Sequence, residues 1–419
     1  MQCVKKSDFR TGWRFCKGEI DMAAALEFDD SEWEEVIVPH TWNADDMFPG
    51  KSPEEAYIGP AWYRKRFTAA KLENGGRLFL LFEAIANVSE VYVNGCFLGG
   101  SEGGFLSFRL DITNALGDRE EHIVAVRVDN SFYKGKMPPQ THDWEKYGGM
   151  YRPVWLLEKG GAFFVHKSIR IETPEVNESR GRVTARVRVC EQGTRTRPLI
   201  IRHIIKDPAR KEIAHLEDTI TTRRGATVES NVEFDPIQSP RLWSPETPNV
   251  YQIETVLLNG DVELDRESNP LGFRWFEFDA DKGFSLNGKS MKLQGVNMHQ
   301  EYPGLGWACP ERYHRREAEM VKSAGMNFMR TSHYPRNERF LDACDELGIM
   351  VMEEQPFWHG SLRVSHGEDL IRAARRFSRD MVEQHGNHPS IIMWNTVNEV
   401  MLCVRIKSHI PILTNERRQ

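Results

Sequence analysis

Asn398 and Glu399 close a stretch, 387–400 (NHPSIIMWNTVNEV), whose first half is large and apolar through Ile391, Ile392, Met393 and Trp394. A carboxyl group there could protonate a leaving oxygen and later take a proton from water, and a neighbouring amide could hold a hydroxyl. A glutamate at a solvated strand end costs nothing, so the pair alone is weak evidence. Three further stretches end in the same way. They offer Asn297, His299 and Gln300; then Arg330, Thr331, Ser332 and His333; then Glu353, Glu354 and Gln355, followed by Trp358 and His359. One histidine at a strand end is more often structural than catalytic. Four successive polar endings are harder to set aside.

The elements that must position these groups follow from periodicity. Apolar runs at 292–297, 327–331, 349–353 and 390–398 read as strands. Between them, 313–324, 337–347 and 369–384 read as helices, the first two closed by Gly325 and Gly348. In the third, Leu370, Ala374, Phe377 and Met381 form one apolar stripe. Strand–helix alternation predicts parallel pairing, which gathers the carboxyl ends of the strands on one rim. Strict alternation would send Asn398 and Glu399 to opposite faces. Both can serve one site only if the strand has ended or bulges there.

Upstream the chain reads as all-β. Alternating runs at 61–67, 77–83, 89–93, 105–110 and 122–128 lie between turn signals, with Asn94-Gly95 as a hairpin turn. Such spacing suits a sandwich or jelly roll. Two polar loops interrupt it, 39–48 (PHTWNADDMF) and 138–149 (PPQTHDWEKYGG), mixing acids, amides and aromatics suited to sugar hydroxyls and sugar faces. A second set of runs at 169–172, 182–189, 199–206, 227–234 and 251–258 fits an immunoglobulin-like sandwich with no evident chemistry, a spacer that sets geometry. A small hairpin at 284–288 leads into the alternating region.

Composition narrows the function classes. With 40% hydrophobic and 28% charged residues, this is an ordinary globular chain. A net charge of −6 gives no footprint for nucleic acid. Seven scattered cysteines without a C-x-x-C pair argue against a disulfide framework or a zinc site. No run is long enough to span a membrane, and the amino terminus lacks the apolar core of a signal peptide, so a cytoplasmic location is expected.

Five stretches resemble glycoside hydrolase family 2: VPHTWN (38–43), YGGMYRPVWL (147–156), GVNMHQEYPGLGWA (295–308), MRTSHYPRNERFLDACDELGIMVMEE (329–354) and NHPSIIMWNTVNEV (387–400). Their order matches the family plan. The resemblance implies a jelly-roll sugar-binding domain over 1–160, an immunoglobulin-like β-sandwich over 161–275 and the first half of a (β/α)8 TIM barrel over 276–419. Within the family the chain is most similar to β-galactosidases, with β-glucuronidases next. An inactive sugar-binding or structural fragment is the reading from another class.

The resemblance also assigns roles. Glu399 would be the general acid/base of a retaining exo-β-glycosidase. Asn398, His299, Arg330 and His333 would bind the sugar in the minus-one subsite. Asp143 would reach in from the first domain, and Asn43 is a further candidate from the other loop. Glu354 and His359 lie where some relatives bind a metal ion. The residues between them (Pro356, Phe357, Trp358) depart from that pattern, so no metal or cofactor is expected. Trp358 would stack on a sugar, and His359 would join the substrate contacts. The implied partner is carbohydrate, with self-association into a homo-oligomer.

The retaining mechanism needs a second carboxylate about 5–5.5 Å from the first. In the family it lies on a later strand, whereas Glu416 is the last acidic residue here. The stretch 276–419 also falls short of the about 250 residues of a complete barrel. The expectation is a C-terminally truncated chain that lacks the nucleophile, is inactive alone, and has a poorly stable half-barrel.

Overall fold

The computed structural model describes residues 5–47, 56–69, 72, 75–133, 135–139, 146–193, 196–358 and 367–399. Asp143 and His359 lie outside these residues.

The amino-terminal region packs two antiparallel sheets face to face. One runs Glu34–Val36, Trp13–Lys17, Pro60–Thr68, Glu121–Asp129, Val88–Val93, Cys96–Glu102. The other runs Lys5–Asp8, Val154–Lys159, Arg77–Phe82, Phe108–Asp111. Alternate residues such as Tyr63, Val124, Val126, Leu80 and Phe82 point between the sheets and are buried there. Val93 pairs with Cys96 across Asn94 (φ 51) and Gly95 (φ 82), so both turn residues take the left-handed conformation a two-residue hairpin requires.

A second sandwich follows. Thr184–Glu191 pairs with Ala162–Phe164, Arg170–Glu172 and Thr227–Glu233, opposite a sheet ordered Glu212–Thr222, Arg197–Lys206, Tyr251–Asn259, Val262–Leu271. Val187, Val189, Ile201, Ile253 and Leu257 fill its centre. Besides the short Ala162–Phe164, two of these strands, Glu212–Thr222 and Val262–Leu271, are absent from the sequence reading. Their outward positions are charged and several inward ones are only half-buried, so the apolar alternation is faint.

The carboxyl-terminal region is a four-stranded parallel sheet in sequence order: Gly295–Asn297, Phe328–Arg330, Met350–Glu354, Ile391–Asn395. Helices Glu311–Ser323, Glu338–Leu347 and Gly367–His385 make the crossovers. Local chemistry fixes their ends. The Asn337 side chain accepts from Arg339 N at 2.8 Å and caps the second helix. Gly348 ends that helix at φ 70, and a Cβ there would strike the Pro245 backbone. Met329, Val351, Ile391, Phe340 and Leu341 pack between sheet and helices. At the strands' amino ends, Trp243 of the second sandwich is buried with Phe284 and Leu286 of the entry hairpin, and its Nε1 donates to Asp345 O at 2.8 Å. The opposite, carboxyl rim is left for chemistry. Among the described residues, no helix is long and apolar enough to cross a membrane.

Candidate active site

The parallel register sets the rim. Asn297 lies beside Arg330, Arg330 beside Met352, and Glu354 beside Asn395. Glu353 and Glu354 alternate in direction. Glu353 turns outward and accepts from His385 Nδ1 at 2.8 Å, while Glu354 joins the groups on the rim.

Glu354 is the hub, with its side chain fully buried. Arg330 Nε donates to its Oε2 at 2.6 Å, and Asn395 Nδ2 donates to the same oxygen at 2.6 Å. His333 Nδ1 lies 2.7 Å from Oε1. Burial pushes this carboxyl up, but hydrogen bonds from His333 and Arg330 and their charges prevail and hold it below the usual carboxylate range. Arg330 Nη2 donates to Asn398 Oδ1 at 2.7 Å, tying the second strand's end to the fourth's. The rings of His333 and His299 meet edge to face with centroids 5.3 Å apart.

The requirement on Asn398 and Glu399 is met. Ladder pairing of the fourth strand ends at Asn395. Asn398 then makes a single parallel bridge to Trp358, with its N–H donating to Phe357 O at 2.8 Å. Glu399 follows in a left-handed conformation, φ 49, and is exposed. The chain has left strand geometry, so the alternation that would separate the two side chains no longer applies.

Arg330, His333 and Asn398 therefore converge, with His299 adjoining and Glu399 next along the chain. Asn43 does not join them. It is 1% exposed, accepts from Gly148 N at 3.0 Å and donates to Tyr57 O at 3.2 Å, so its amide braces two loops instead of facing a ligand. Trp358 is 1% exposed and presents no open face for a sugar. The resemblance had suggested it from residue type, and burial removes that role. The segment carrying Asp143 is flanked by Met137 and Tyr147, both buried against Trp307, Phe357 and Phe377 of the barrel region. Three groups escaped the sequence reading as contributors: Glu354 as the hub, Asn395 as its donor, and Tyr334 behind His299. For Glu354 and Asn395 the signal was available, since both end apolar strands.

Family models match in three consecutive blocks: "Glycosyl hydrolase 2 galactose-binding domain-like" over 46–163, "Glycosyl hydrolases family 2" over 164–274, and "Glycosyl hydrolases family 2, TIM barrel domain" over 279–413. The chain is 34% identical over 410 residues to a putative β-glucuronidase of Formosa agariphila, covering 94% of this chain and 46% of that protein. It is 31% identical to a β-galactosidase of Thermoanaerobacter pseudethanolicus, covering 94% and 51%. A solved structure, Bacteroides uniformis β-glucuronidase 2 covalently bound to cyclophellitol-6-carboxylate aziridine, superimposes with a TM-score of 0.90 at 33% identity, covering 97% and 48%. The chain thus spans about half the length of the curated relatives it matches. With three consecutive models spanning the sandwiches and the half-barrel, the chain belongs to glycoside hydrolase family 2.

Proposed function

We propose that the chain supplies the acid/base and sugar-holding half of a retaining exo-β-glycosidase acting on terminal β-galactosides. The observation that carries this reading is the network at the carboxyl rim. Arg330 and His333 are fixed by a buried carboxylate, and Arg330 reaches Asn398, the neighbour of Glu399. Glu399 protonates the glycosidic oxygen and then activates water on the covalent intermediate. Asn398 holds the hydroxyl beside the anomeric carbon, and Arg330, His333 and His299 hold the remaining hydroxyls of that ring. Asp143 adds a contact from the first domain. Glu354 already accepts from Arg330, His333 and Asn395 and is not the nucleophile. That second carboxylate belongs to the family plan beyond the four strands described here.

A β-glucuronide substrate is the second reading. It is favoured by the 6-carboxylate inhibitor on the Bacteroides uniformis relative. Hydrolysis of nitrophenyl β-D-galactoside and β-D-glucuronide, by a polypeptide carrying this chain with a complete barrel, tests both. Retained product configuration, and loss of turnover in Glu399→Ala restored by azide, are expected. Inversion, or full turnover in Glu399→Ala, would overturn the mechanism.

A further inference from the structure

The motif YGGMYRPVWL (147–156) lies in the first domain and makes no contact with substrate in the mechanism above, yet its Arg152 is buried at the barrel rim. Arg152 Nη2 donates to Pro335 O at 3.0 Å and to Gln300 Oε1 at 3.3 Å. Its Nη1 donates to Phe105 O at 2.8 Å. One guanidinium therefore joins the turn after the first barrel strand to the turn after the second. Phe105 lies flat on Tyr334, with ring centroids 4.6 Å apart and planes 6° apart. Tyr334 is fully buried, and its hydroxyl sits between Gln300 N at 2.9 Å and His299 Nδ1 at 3.3 Å.

Counting protons on that hydroxyl gives it a task. A tyrosine oxygen has one hydrogen and two lone pairs. The Gln300 N–H takes a lone pair, so the hydrogen is available to His299 Nδ1. Burial pushes the Tyr334 hydroxyl well above its ordinary range, so it stays protonated and remains a donor. A donor at Nδ1 makes that nitrogen the acceptor and leaves the ring proton on Nε2. A competitor is close by, because Glu301 Oε1 lies 3.6 Å from the same Nδ1 and would draw a proton onto it. His333 meets the ring edge to face.

We propose that Tyr334 is a positioning residue whose hydroxyl holds His299 as the Nε2–H tautomer, and that Phe105 and Arg152 of the first domain keep Tyr334 in place. The consequence for substrate rests on the sugar-subsite reading: His299 then offers a hydrogen-bond donor to a sugar oxygen. The tautomer itself does not depend on that reading.

The test uses the full chain with 15N-labelled histidine and long-range 1H–15N NMR, with the His299 signal assigned from His299→Gln. In the wild type, Nε2–H should dominate at neutral pH. Tyr334→Phe keeps the stacked ring and removes the hydroxyl. It should shift His299 several-fold toward Nδ1–H or the imidazolium, with the thermal midpoint nearly unchanged. Phe105→Leu, which loosens the stack from the other domain, should move His299 the same way to a smaller extent. An unchanged tautomer in both variants, or Nδ1–H already dominant in the wild type, overturns the proposal. Titration with a galactono- or glucaro-lactone separates the two readings. Wild-type binding weakened about tenfold in Tyr334→Phe supports both, taking 1.4 kcal/mol per decade. A tautomer shift without lactone binding by the wild type sustains the positioning role and removes the sugar subsite.

Discussion

Glu354 is worth more as an organiser than its type suggests. It is fully buried and accepts from Arg330, His333 and Asn395 at 2.6–2.7 Å. Replacing one partner of a buried ion pair leaves the other uncompensated, which costs roughly 3–5 kcal/mol. Glu354→Gln should therefore lower barrel stability by about that amount in urea titration. Its pH dependence has a definite sign. The folded carboxyl lies below its ordinary value of 4.5, so its contribution is complete above pH 4.5 and is lost as pH falls through the lower folded value. The stability gap between wild type and Glu354→Gln should narrow as pH falls below 4.5, and a gap that widens in acid would mean that the sign is wrong. Arg330 and His333 were legible because they end an apolar strand within a recognisable motif. Asn43 and Trp358 had suitable types, but burial and backbone partners decide what a side chain can touch, and neither shows in sequence. Tyr334 was not legible, because its role rests on hydroxyl partners brought together by the fold.

Helices and strands in this half-barrel are joined by a second buried pair. His388, just before the fourth strand, bonds Asp345 of helix Glu338–Leu347 at 2.6 Å, and Asp345 Oδ1 also accepts from Ser390 N at 2.9 Å. Burial pushes His388 down, but the charge and hydrogen bond of Asp345 outweigh it, with Asp342 and Glu338 adding to the rise, to about 9. A raised histidine stabilises fully below its unfolded value of 6.5, and that contribution fades as pH rises through about 9. The full effect is on the order of 3 kcal/mol. Chemical denaturation at pH 6.5 and pH 10 should show a drop of that order in the wild type and a smaller one in His388→Gln. The helices were legible because capping residues and apolar stripes reinforce each other, as at Asn337 and Gly348. Strand Glu212–Thr222 was not, because its partners lie in tertiary space and its own pattern is mostly exposed.

At the scale of the molecule, the first domain and the half-barrel share one aromatic cluster. Phe105 and Tyr151 pack with Trp307 and Tyr334, and Met137 and Tyr147 flank the segment that carries Asp143. Truncating a buried phenylalanine costs about 3–5 kcal/mol. Phe105→Ala should accordingly split thermal unfolding into two transitions by calorimetry, with the half-barrel melting first. A single transition at the wild-type midpoint would mean the two regions do not depend on this cluster. The three-part architecture was legible from the change of periodicity along the chain, whereas the docking that carries the rim was not. The most direct test of the central claim is isothermal titration of the chain with galactono- and glucaro-lactones, comparing wild type with Arg330→Met. Binding of one lactone by the wild type, lost in Arg330→Met, is the expected result. Equal binding by both proteins, or no lactone bound by the wild type, would contradict a sugar subsite at the carboxyl rim.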